Sequence, residues 1–484
     1  MKDMTKGNEY KLLIAFTLPL LFGNVFQQFY NIADSIIVGR YSPEGSRALA
    51  AVMVSFPVLF IMLALMQGLA GGAAIVIAQY YGAKDMEKVR TAMATSAIVL
   101  LGAVALLSVA GVIFTPHLLR LTRTPPEILD LSAAYLRVMF GGSLFMLIYN
   151  LIAGYMRALG DTKTPLYFLI AASVLNILLD LLFIIVLGWG IAAVAAATLI
   201  AQAVSGIGCI YYAWRKIPVF RFERKDIRVD KAMLRDIIRV SVPSTFQQTI
   251  LSAGFLVSQG LINSFDTNAI AGVGAAFRVE MFALMPVFSF GMAIATFAGQ
   301  NMGAGNLSRV RSGVMKTFYM TCGVTVFAGV ILLLFGRHLI GIFFDPGEAD
   351  YTEILRIGAG FLSVIASFFI VMGTFNTFSS MLRGVGDIMF STIATAASMA
   401  IRLSLAYLGA RYTSLGIMSL AWAMPIGWGV GALVCWLRYW SGAWEKKGLV
   451  KKELIRCPEG HTPPCNTGDW GQTRSAARGS RRAQ

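Results

Sequence analysis

Charged side chains are scarce in this sequence. Only 14% of its 484 residues are Asp, Glu, Lys or Arg, whereas 57% are hydrophobic and the mean hydropathy is +0.68. A soluble chain of ordinary composition has about 25% charged residues, which keep its surface in water. The shortage excludes an ordinary soluble protein and predicts a chain that lies largely in lipid.

Histidine and cysteine are also rare, and neither forms a pattern that carries chemistry. The sequence has no nucleophile–base pair, no phosphate-binding P-loop and no zinc-protease motif. This excludes ATP-driven export and predicts that the protein is not an enzyme. Cys457, His461 and Cys465 offer three zinc ligands where a structural site takes four, so we predict neither a metal nor a cofactor.

Long hydrophobic segments recur along almost the whole chain. Each is roughly 20 residues long, which is enough to cross the hydrocarbon core of a bilayer as a helix. The predicted fold is therefore an all-α integral membrane protein with twelve transmembrane helices. The predicted spans lie near residues 11–39, 49–80, 91–114, 131–155, 165–187, 190–213, 235–263, 278–300, 314–335, 357–381, 388–409 and 414–440.

The net charge of +16 is explained by topology. With the N-terminus in the cytoplasm, the cytoplasmic loops and ends hold 31 of the 41 Lys and Arg residues, the outer loops hold nine, and Arg402 lies within a span. This asymmetry follows the positive-inside rule and predicts that both termini are cytoplasmic. No basic stretch is interleaved with stacking aromatics, so membrane lipid is an expected partner and nucleic acid is not.

The sequence repeats itself. Three landmarks recur in the same order at nearly one offset: Gln79–Arg90 with Gln300–Arg311 (221 residues), Arg157–Asp161 with Arg383–Asp387 (226 residues), and Pro19 with Pro243 (224 residues). Because each repeat holds six spans, an even number, both halves have the same orientation. The sequence thus predicts two six-helix bundles related by a pseudo-two-fold axis along the membrane normal.

The repeat also sets the expected domain boundaries. Residues 1–214 form the predicted N-terminal bundle and residues 240–445 the C-terminal bundle. The basic segment 215–239 is the predicted cytoplasmic linker between them. Residues 446–484 are a predicted cytoplasmic tail, and their Gly/Ser/Arg-rich composition is typical of disorder.

Two carboxylates stand inside apolar spans. In the first span, Gln28, Asn31 and Asp34 recur at steps of three residues, which places them on one helix face. In the fifth span, Asn176 precedes Asp180 by four residues. A carboxylate at membrane depth costs ~2.5–3.5 kcal/mol or more, so it tends to face a cavity and to have a function. The pair predicts ion-coupled transport; the alternative is a structural role in bonding neighbouring helices.

With the repeat, the spans and the acidic pair established, the chain resembles the MATE family, the multidrug and toxic compound extrusion transporters. The resemblance runs from about residue 8 to residue 445 and depends on the order and duplication of its motifs. The motifs are Pro19 with Gln27-Gln28 and Asp34, Gln79-x-x-Gly82-Ala83 with its repeat at Gln300, Arg157-Ala-Leu-Gly160-Asp161, Asn176-x-x-x-Asp180, and Arg278-Val-Glu280 before Pro286.

The resemblance implies two bundles with a cleft between them, and outward movement of organic cations driven by inward H⁺ or Na⁺. A DinF-like prokaryotic branch of the family has its cation site in the N-terminal half. The matching positions here are Asp34, Asn176, Asp180 and Thr198. A second branch uses a Glu in the seventh span and an Asp in the tenth. This sequence has Gln247 and Gln248 in the seventh span and no acid in the tenth, so we favour the N-terminal site.

The implied function is a secondary antiporter that exports cationic or amphipathic small molecules in exchange for H⁺ or Na⁺. We expect a monomer in the plasma membrane of a prokaryote. The alternative is a lipid-linked saccharide flippase of related architecture, which should have a cationic cavity for a pyrophosphate headgroup. Only Arg402 is a buried basic candidate for such a cavity.

Further polar residues in the spans are predicted to line the cavity. They are Gln28, Asn31, Gln247, Gln248, Glu280 and Arg402. Two interpretations of Arg402 stay open: it lines the pathway and repels cations, or it reaches towards the interface and pairs with a backbone carbonyl. For Glu280, an interfacial salt bridge with Arg278 is favoured over a role in coupling or substrate binding.

Overall fold

The structure is a computed structural model that describes residues 2–122, 124–223, 226–347 and 350–450. In these ranges the chain is helical and has no strand. The helices are α1 (Glu9–Tyr41), α2 (Ser46–Gly82), α3 (Met86–Leu121), α4 (Pro126–Gly141), α5 (Ser143–Ala158), α6 (Lys163–Asp180), α7 (Ile191–Lys216), α8 (Lys231–Ile262), α9 (Thr267–Gly303), α10 (Leu307–Gly341), α11 (Tyr351–Ser367), α12 (Phe369–Gly384), α13 (Ile388–Tyr412) and α14 (Met418–Trp440).

Twelve membrane crossings account for these helices, as the sequence predicted. In the described ranges nine helices are long and apolar enough to span a bilayer alone, and α4 with α5 and α11 with α12 form two further, bent spans. The twelfth crossing is α8, which is long enough but is too polar to pass the same test. Its Ser241, Ser244 and Gln247 are buried against other helices, so its polar groups are kept from lipid.

The two bent spans differ from the straight helices that hydropathy indicated. The axes of α4 and α5 differ by 46°, and those of α11 and α12 by 51°. The first bend lies at Gly142, where a Cβ atom would overlap the side chain of Leu199 on α7. Glycine permits both the bend and this close approach of the two helices.

The predicted linker and tail are partly described. The linker is shorter than its predicted range, because α7 continues to Lys216 and α8 begins at Lys231. Near the C-terminus, Leu449 and Val450 pack against the hydrophobic core of the N-terminal half. Residues 451–484, including Cys457, His461 and Cys465, lie outside the described residues.

Each half of the chain has its own hydrophobic core. One core is built from α1–α7 together with the first turns of α8, and another from α8–α14; a third cluster joins Met4 and the first turns of α1 to α9, α10 and α12–α14. Within the N-terminal bundle α6 packs against α1 and α7, and within the C-terminal bundle α13 packs against α8 and α14. The two bundles therefore repeat one packing arrangement, as the repeat in the sequence predicted.

The bundles meet where α1 and α2 pack against α8 and α9. Small residues make this approach close: Cβ atoms on Gly68 and Gly72 would overlap the backbone of α8 at Thr245 and Ser241. In lipid, such close packing of backbones replaces the hydrophobic effect as the force between helices.

Candidate functional site

The N-terminal bundle brings the two predicted carboxylates together. Asp34 on α1 and Asp180 at the end of α6 lie next to each other. Asp180 is fully buried and Asn176, one turn earlier on the same face, is 2% exposed. Two ionised carboxylates could not bond to each other, so the contact becomes a hydrogen bond only when one of them carries a proton.

Oxygen atoms at this site lack partners. In the part of the chain that the structure describes, Asp34 Oδ1, both carboxylate oxygens of Asp180 and Asn176 Oδ1 are buried without a hydrogen bond. The other side of the Asn176 amide donates to Thr198 Oγ1 on α7 over 3.5 Å, and that hydroxyl donates to Val194 O at 3.2 Å. Buried acceptors without donors are costly, so the cluster is suited to hold a proton or a hard cation.

The backbone changes its winding directly after Asp180. Residues Leu181–Val186 form a π-helical turn that continues α6. A π-helical turn lacks the regular hydrogen-bond ladder of an α-helix and is frequent at functional sites. The π-helical turn therefore places Asp180 directly before a segment whose helical winding can change.

Two tyrosines belong to the same cluster, although we did not predict them. The charges of Asp34 and Asp180 act on the hydroxyl groups of Tyr30 on α1 and Tyr135 on α4. Tyr30 could have been found from the sequence, because it lies one helical turn before Asp34. Tyr135 is more than 40 positions from either acid, and no sequence signal indicated it.

The polar face of α1 continues from the carboxylates to the interface between the bundles. Asn31 Nδ2 donates to Gln28 Oε1 at 3.0 Å, and Gln28 Nε2 contacts Met281 Sδ on α9 at 2.9 Å. One turn before Gln28, Asn24 Nδ2 donates to Ser289 Oγ at 3.2 Å. The predicted residues Gln28 and Asn31 therefore connect the acidic cluster to the C-terminal bundle.

The two glutamines predicted on α8 have different surroundings. Gln247 is buried inside the C-terminal bundle, where its Nε2 donates to Thr395 Oγ1 at 2.8 Å and to Ser391 Oγ at 3.0 Å. Gln248 faces α2, with its Nε2 3.5 Å from Gln67 Oε1. Of the two, Gln248 lies at the interface between the bundles and Gln247 lies within one bundle.

The predicted salt bridge between Glu280 and Arg278 is wrong. Glu280 is 6% exposed inside the C-terminal bundle, while the guanidinium of Arg278 lies 5.7 Å from the ring of Phe343. Residues two apart on a helix point to nearly opposite faces, so this pair could not meet. Instead, Glu280 lies in the electrostatic field of Arg402, whose Nη2 is 3.4 Å from Ser258 Oγ.

The end of the molecule near Met4 and Leu449 is closed by Gln79 and Gln300, which we call the glutamine pair. Gln79 Nε2 donates to Gly384 O at 3.0 Å in the C-terminal bundle, and its Oε1 accepts from Leu449 N at 2.8 Å. Gln300 Nε2 donates to Ala158 O at 2.8 Å in the N-terminal bundle, and its Oε1 accepts from Met4 N at 3.0 Å. Both side chains are fully buried.

Glycines make this contact possible. Cβ atoms on Gly82 and Gly303 would overlap the carbonyl oxygens of Gln300 and Gln79, respectively. The two halves of the duplicated motif are therefore in direct contact with each other. The sequence revealed the duplication but not this contact.

Two further grooves lie away from the carboxylates. One, of 480 Å³, is lined entirely by apolar residues of α9, α10 and the turn after α10. The other, of 540 Å³, lies between α6 and α7 beside Arg215 and Lys216. Neither groove includes a predicted site residue. The acidic cluster is therefore the chemically distinctive site of the described chain.

Comparison with known proteins agrees with this arrangement. A family model described as MatE matches residues 19–182 and 243–408, one range in each bundle. The chain is 29% identical over 388 residues to "Probable multidrug resistance protein YpnP" of Bacillus subtilis (80% of this chain, 85% of the relative). It is 27% identical over 460 residues to "Probable multidrug resistance protein NorM" of Thermotoga maritima (92% and 95%).

Solved structures show the same fold. A crystal structure of a MATE in complex with MaL6 has a TM-score of 0.84 at 25% identity, covering 92% of this chain and 99% of that one. The outward-facing conformation of a multidrug resistance MATE family transporter of the MOP superfamily has a TM-score of 0.82 at 26% identity, with the same two coverages of 92% and 99%. The all-α fold of two six-helix bundles is thereby confirmed.

Proposed function

Because this chain belongs to the MatE family of multidrug and toxic compound extrusion transporters, we propose that it is a secondary antiporter that exports cationic or amphipathic small molecules in exchange for H⁺ or Na⁺. It is a multi-pass membrane transporter and not an enzyme, as the sequence predicted. The proposal concerns its coupling ion, its substrate class and the residues that couple them.

The observation that supports the proposal most strongly is the acidic cluster. Asp34 and Asp180 face each other, and three of their oxygens have no donor in the described structure. Two like charges this close repel each other unless a proton or a cation lies between them. Asp34, Asp180, Asn176 and Thr198 are the proposed coupling-ion residues, and the arrangement requires no cofactor besides that ion.

Antiport would result if the protein alternated between a state that binds the coupling ion and a state that binds the substrate. With H⁺ or Na⁺ bound, the cluster is neutralised, α1 and α6 can pack closely, and affinity for a cationic substrate falls. Without the ion, the negative cluster attracts the substrate along the polar face of α1 through Asn31 and Gln28. Each ligand then favours a different conformation, which is the condition for coupling.

The closed end of the molecule supports a proposal for its conformational state. The glutamine pair closes the end near Met4 and Leu449, and the distribution of Lys and Arg predicts that this end is cytoplasmic. The structure then corresponds to an outward-facing state in the plasma membrane of a prokaryote. We propose that one copy suffices for transport, because each chain contains both bundles, and that anionic lipid contacts the basic cytoplasmic ends.

The flippase alternative is disfavoured by the C-terminal bundle. A pyrophosphate headgroup would need unpaired positive charge in the cavity. Arg402, the one basic candidate from the sequence, shares its surroundings with the acidic Glu280. Their charges cancel, so this location offers little attraction for a pyrophosphate.

Efflux of a fluorescent cationic dye from cells or everted vesicles tests the proposal. Wild type, Asp34→Asn and Asp180→Asn are compared under an imposed proton gradient and, separately, an imposed sodium gradient. Asp130→Asn is the matched control, because Asp130 is an exposed acid at the start of α4. Both site variants are expected to lose gradient-driven efflux at normal expression, while the control keeps it.

The gradient that drives wild-type efflux identifies the ion. Normal efflux in Asp34→Asn and Asp180→Asn would remove the acidic cluster from the mechanism. Wild-type efflux that ignores both gradients would refute ion-coupled antiport itself.

A further inference from the structure

The C-terminal bundle contains a positively charged side chain at the place where the N-terminal bundle has its proposed ion site. At the 226-residue offset that relates Arg157 to Arg383, Arg402 is the repeat counterpart of Asn176. At the 224-residue offset that relates Pro19 to Pro243, Ser258 is the counterpart of Asp34. The structure joins these two counterparts, since Arg402 Nη2 lies 3.4 Å from Ser258 Oγ.

The helices around Arg402 match those around Asn176. α13 packs against α8 and α14 as α6 packs against α1 and α7. The stem of Arg402 lies against α14, where a Cβ atom on Gly427 would be 2.9 Å from the Arg402 Cβ. The guanidinium therefore extends from α13 towards α8, across the space that corresponds to the ion site.

The other ion-attracting groups of the N-terminal bundle have no counterpart. At the 226-residue offset, Asp180 corresponds to Ala406, Tyr135 to Phe361, and Thr198 to Met424. The same offset relates Cys209 to Cys435, which supports the alignment of α7 with α14. At these three positions the oxygen-bearing side chains of the N-terminal bundle correspond to apolar side chains, which offer a cation no oxygen ligand.

A negative charge accompanies the arginine. Glu280 on α9 is 6% exposed. Among the charged residues of the described chain, Arg402 is the one that interacts electrostatically with Glu280. The two side chains carry opposite charges within the same bundle and attract each other. At the 221-residue offset the counterpart of Glu280 is Leu59, so both charges occur only in the C-terminal bundle.

We propose that Arg402 is a built-in substitute for the coupling cation in the C-terminal bundle, with Glu280 as its counter-ion. A guanidinium neither loses its proton in a protein nor leaves, and it repels a second cation. The C-terminal bundle then keeps one charge state through the cycle, and only the N-terminal bundle exchanges an ion. This inference rests on the proposed function, since it assigns Arg402 the role of the ion that Asp34 and Asp180 would bind.

Thermal unfolding of the full-length protein in detergent tests the inference. All variants carry Asp34→Asn and Asp180→Asn, so that the N-terminal site contributes no ion dependence. Melting temperatures are compared in acidic and alkaline buffer, and in sodium chloride against choline chloride. With Arg402 present, we expect the C-terminal bundle to cause no ion-specific change in the melting temperature.

Removing the arginine should create an ion requirement. Arg402→Asn leaves Glu280 as a buried charge without a partner, which a proton or Na⁺ can neutralise. The melting temperature of Arg402→Asn is expected to be higher by about 2 °C or more in acidic than in alkaline buffer, or in sodium chloride than in choline chloride. Adding Glu280→Gln should abolish this response, and Arg402→Lys, which keeps the charge, should not show it.

The reciprocal variant tests whether the charge of the stabilising ion reverses when Glu280 is removed in place of Arg402. Glu280→Gln alone leaves Arg402 unpaired, so a small anion should stabilise it while acid and Na⁺ should not. If Arg402→Asn does not fold, acid or sodium during purification should recover it, and the variant with both substitutions should fold without them. Identical responses in Arg402→Asn and in the variant with both substitutions would overturn the inference.

The two proposals fail differently. Wild-type dye efflux that ignores proton and sodium gradients would remove the proposed function, whatever the melting temperatures show. Gradient-driven efflux in wild type, combined with an Arg402→Asn variant that lacks any new ion dependence, would remove only the role of Arg402.

Discussion

Substitution of the glutamine pair should open the end of the molecule near Met4 and Leu449. Gln79→Leu removes a donor to Gly384 O and an acceptor for Leu449 N, and leaves two backbone groups without partners. A buried group left unsatisfied costs about 1–3 kcal/mol. Since water can enter at the end of a bundle, we take the lower part of that range, about 2 kcal/mol for the two groups together.

This energy sets the size of the expected population shift. Because about 1.4 kcal/mol corresponds to a tenfold change in an equilibrium constant, Gln79→Leu should favour the open arrangement by about 30-fold. Gln300→Leu should act equally, because Gln300 makes the corresponding contacts with Ala158 O and Met4 N. The double variant should approach a 1,000-fold shift, about the square of the single effect, if the two contributions are additive.

Electron–electron distance measurement between two spin labels provides the assay. Labels on Lys163 and Ser308, both exposed and one in each bundle, report the separation of the bundles at this end. The five cysteines are first replaced by serine. Gln259→Leu is the matched control, because Gln259 is a half-buried glutamine whose described side-chain hydrogen bond is to Asn263 Oδ1, directly after its own helix.

Wild type and the Gln259→Leu control should show mainly the short distance, and the Gln79→Leu and Gln300→Leu variants mainly a longer one. Efflux should slow in both variants, because the closed state is part of the transport cycle. Unchanged distances in both single variants and in the double variant would refute the assignment of a closing role to the glutamine pair.

Three other substitutions have defined outcomes. Gly82→Ala should abolish dye efflux because the added Cβ would overlap the backbone of α9, whereas Gly71→Ala, whose Cβ meets nothing within 4 Å, should not. Tyr135→Phe keeps the buried ring but removes a hydroxyl beside the carboxylates, so the ion concentration for half-maximal efflux should rise by about tenfold. Partial burial raises the pKa of Asp3, but hydrogen bonds from Lys84 and Thr5 outweigh it and hold the pKa at about 2. The Asp3 contact, 2.7 Å long to Lys84 Nζ, should therefore persist above about pH 4 and be lost as pH falls through about 2, whereas Asp3→Asn should expose the N-terminal segment to proteolysis at neutral pH.

Most of the fold could be predicted because lipid leaves few alternatives. A chain segment in hydrocarbon must satisfy its own backbone hydrogen bonds, so an apolar run of sufficient length is a helix. α8, the most polar span, was also among the predicted spans, and its Pro243 is the repeat counterpart of Pro19. The bends at Gly142 and Phe368 were missed, since hydropathy records composition along the chain and not the direction of a helix axis.

The candidate site was predictable only in part, for a related reason. Residues on one helix face, such as Asn176 and Asp180, are revealed by their spacing. Tyr135 lies near Asn176 and Asp180 because of the way α4 packs, and the spacing of residues along the sequence does not reveal that packing. The electrostatic interaction of Glu280 with Arg402 joins two positions more than 100 residues apart in the sequence, while the neighbouring Arg278 offered a misleading local partner.

The glutamine pair also bears on how a chain of this kind came into being. Gln79 reaches the end of α12 in the C-terminal bundle, and Gln300 reaches the matching end of α5 in the N-terminal bundle. One contact made twice about a two-fold axis is the signature of an isologous homodimer. A single six-helix ancestor with one glutamine could close such an interface by pairing with its own copy. Fusion of the two copies would then free each half to diverge, and the different residues at matching positions, Asp34 against Ser258 and Asn176 against Arg402, show such divergence.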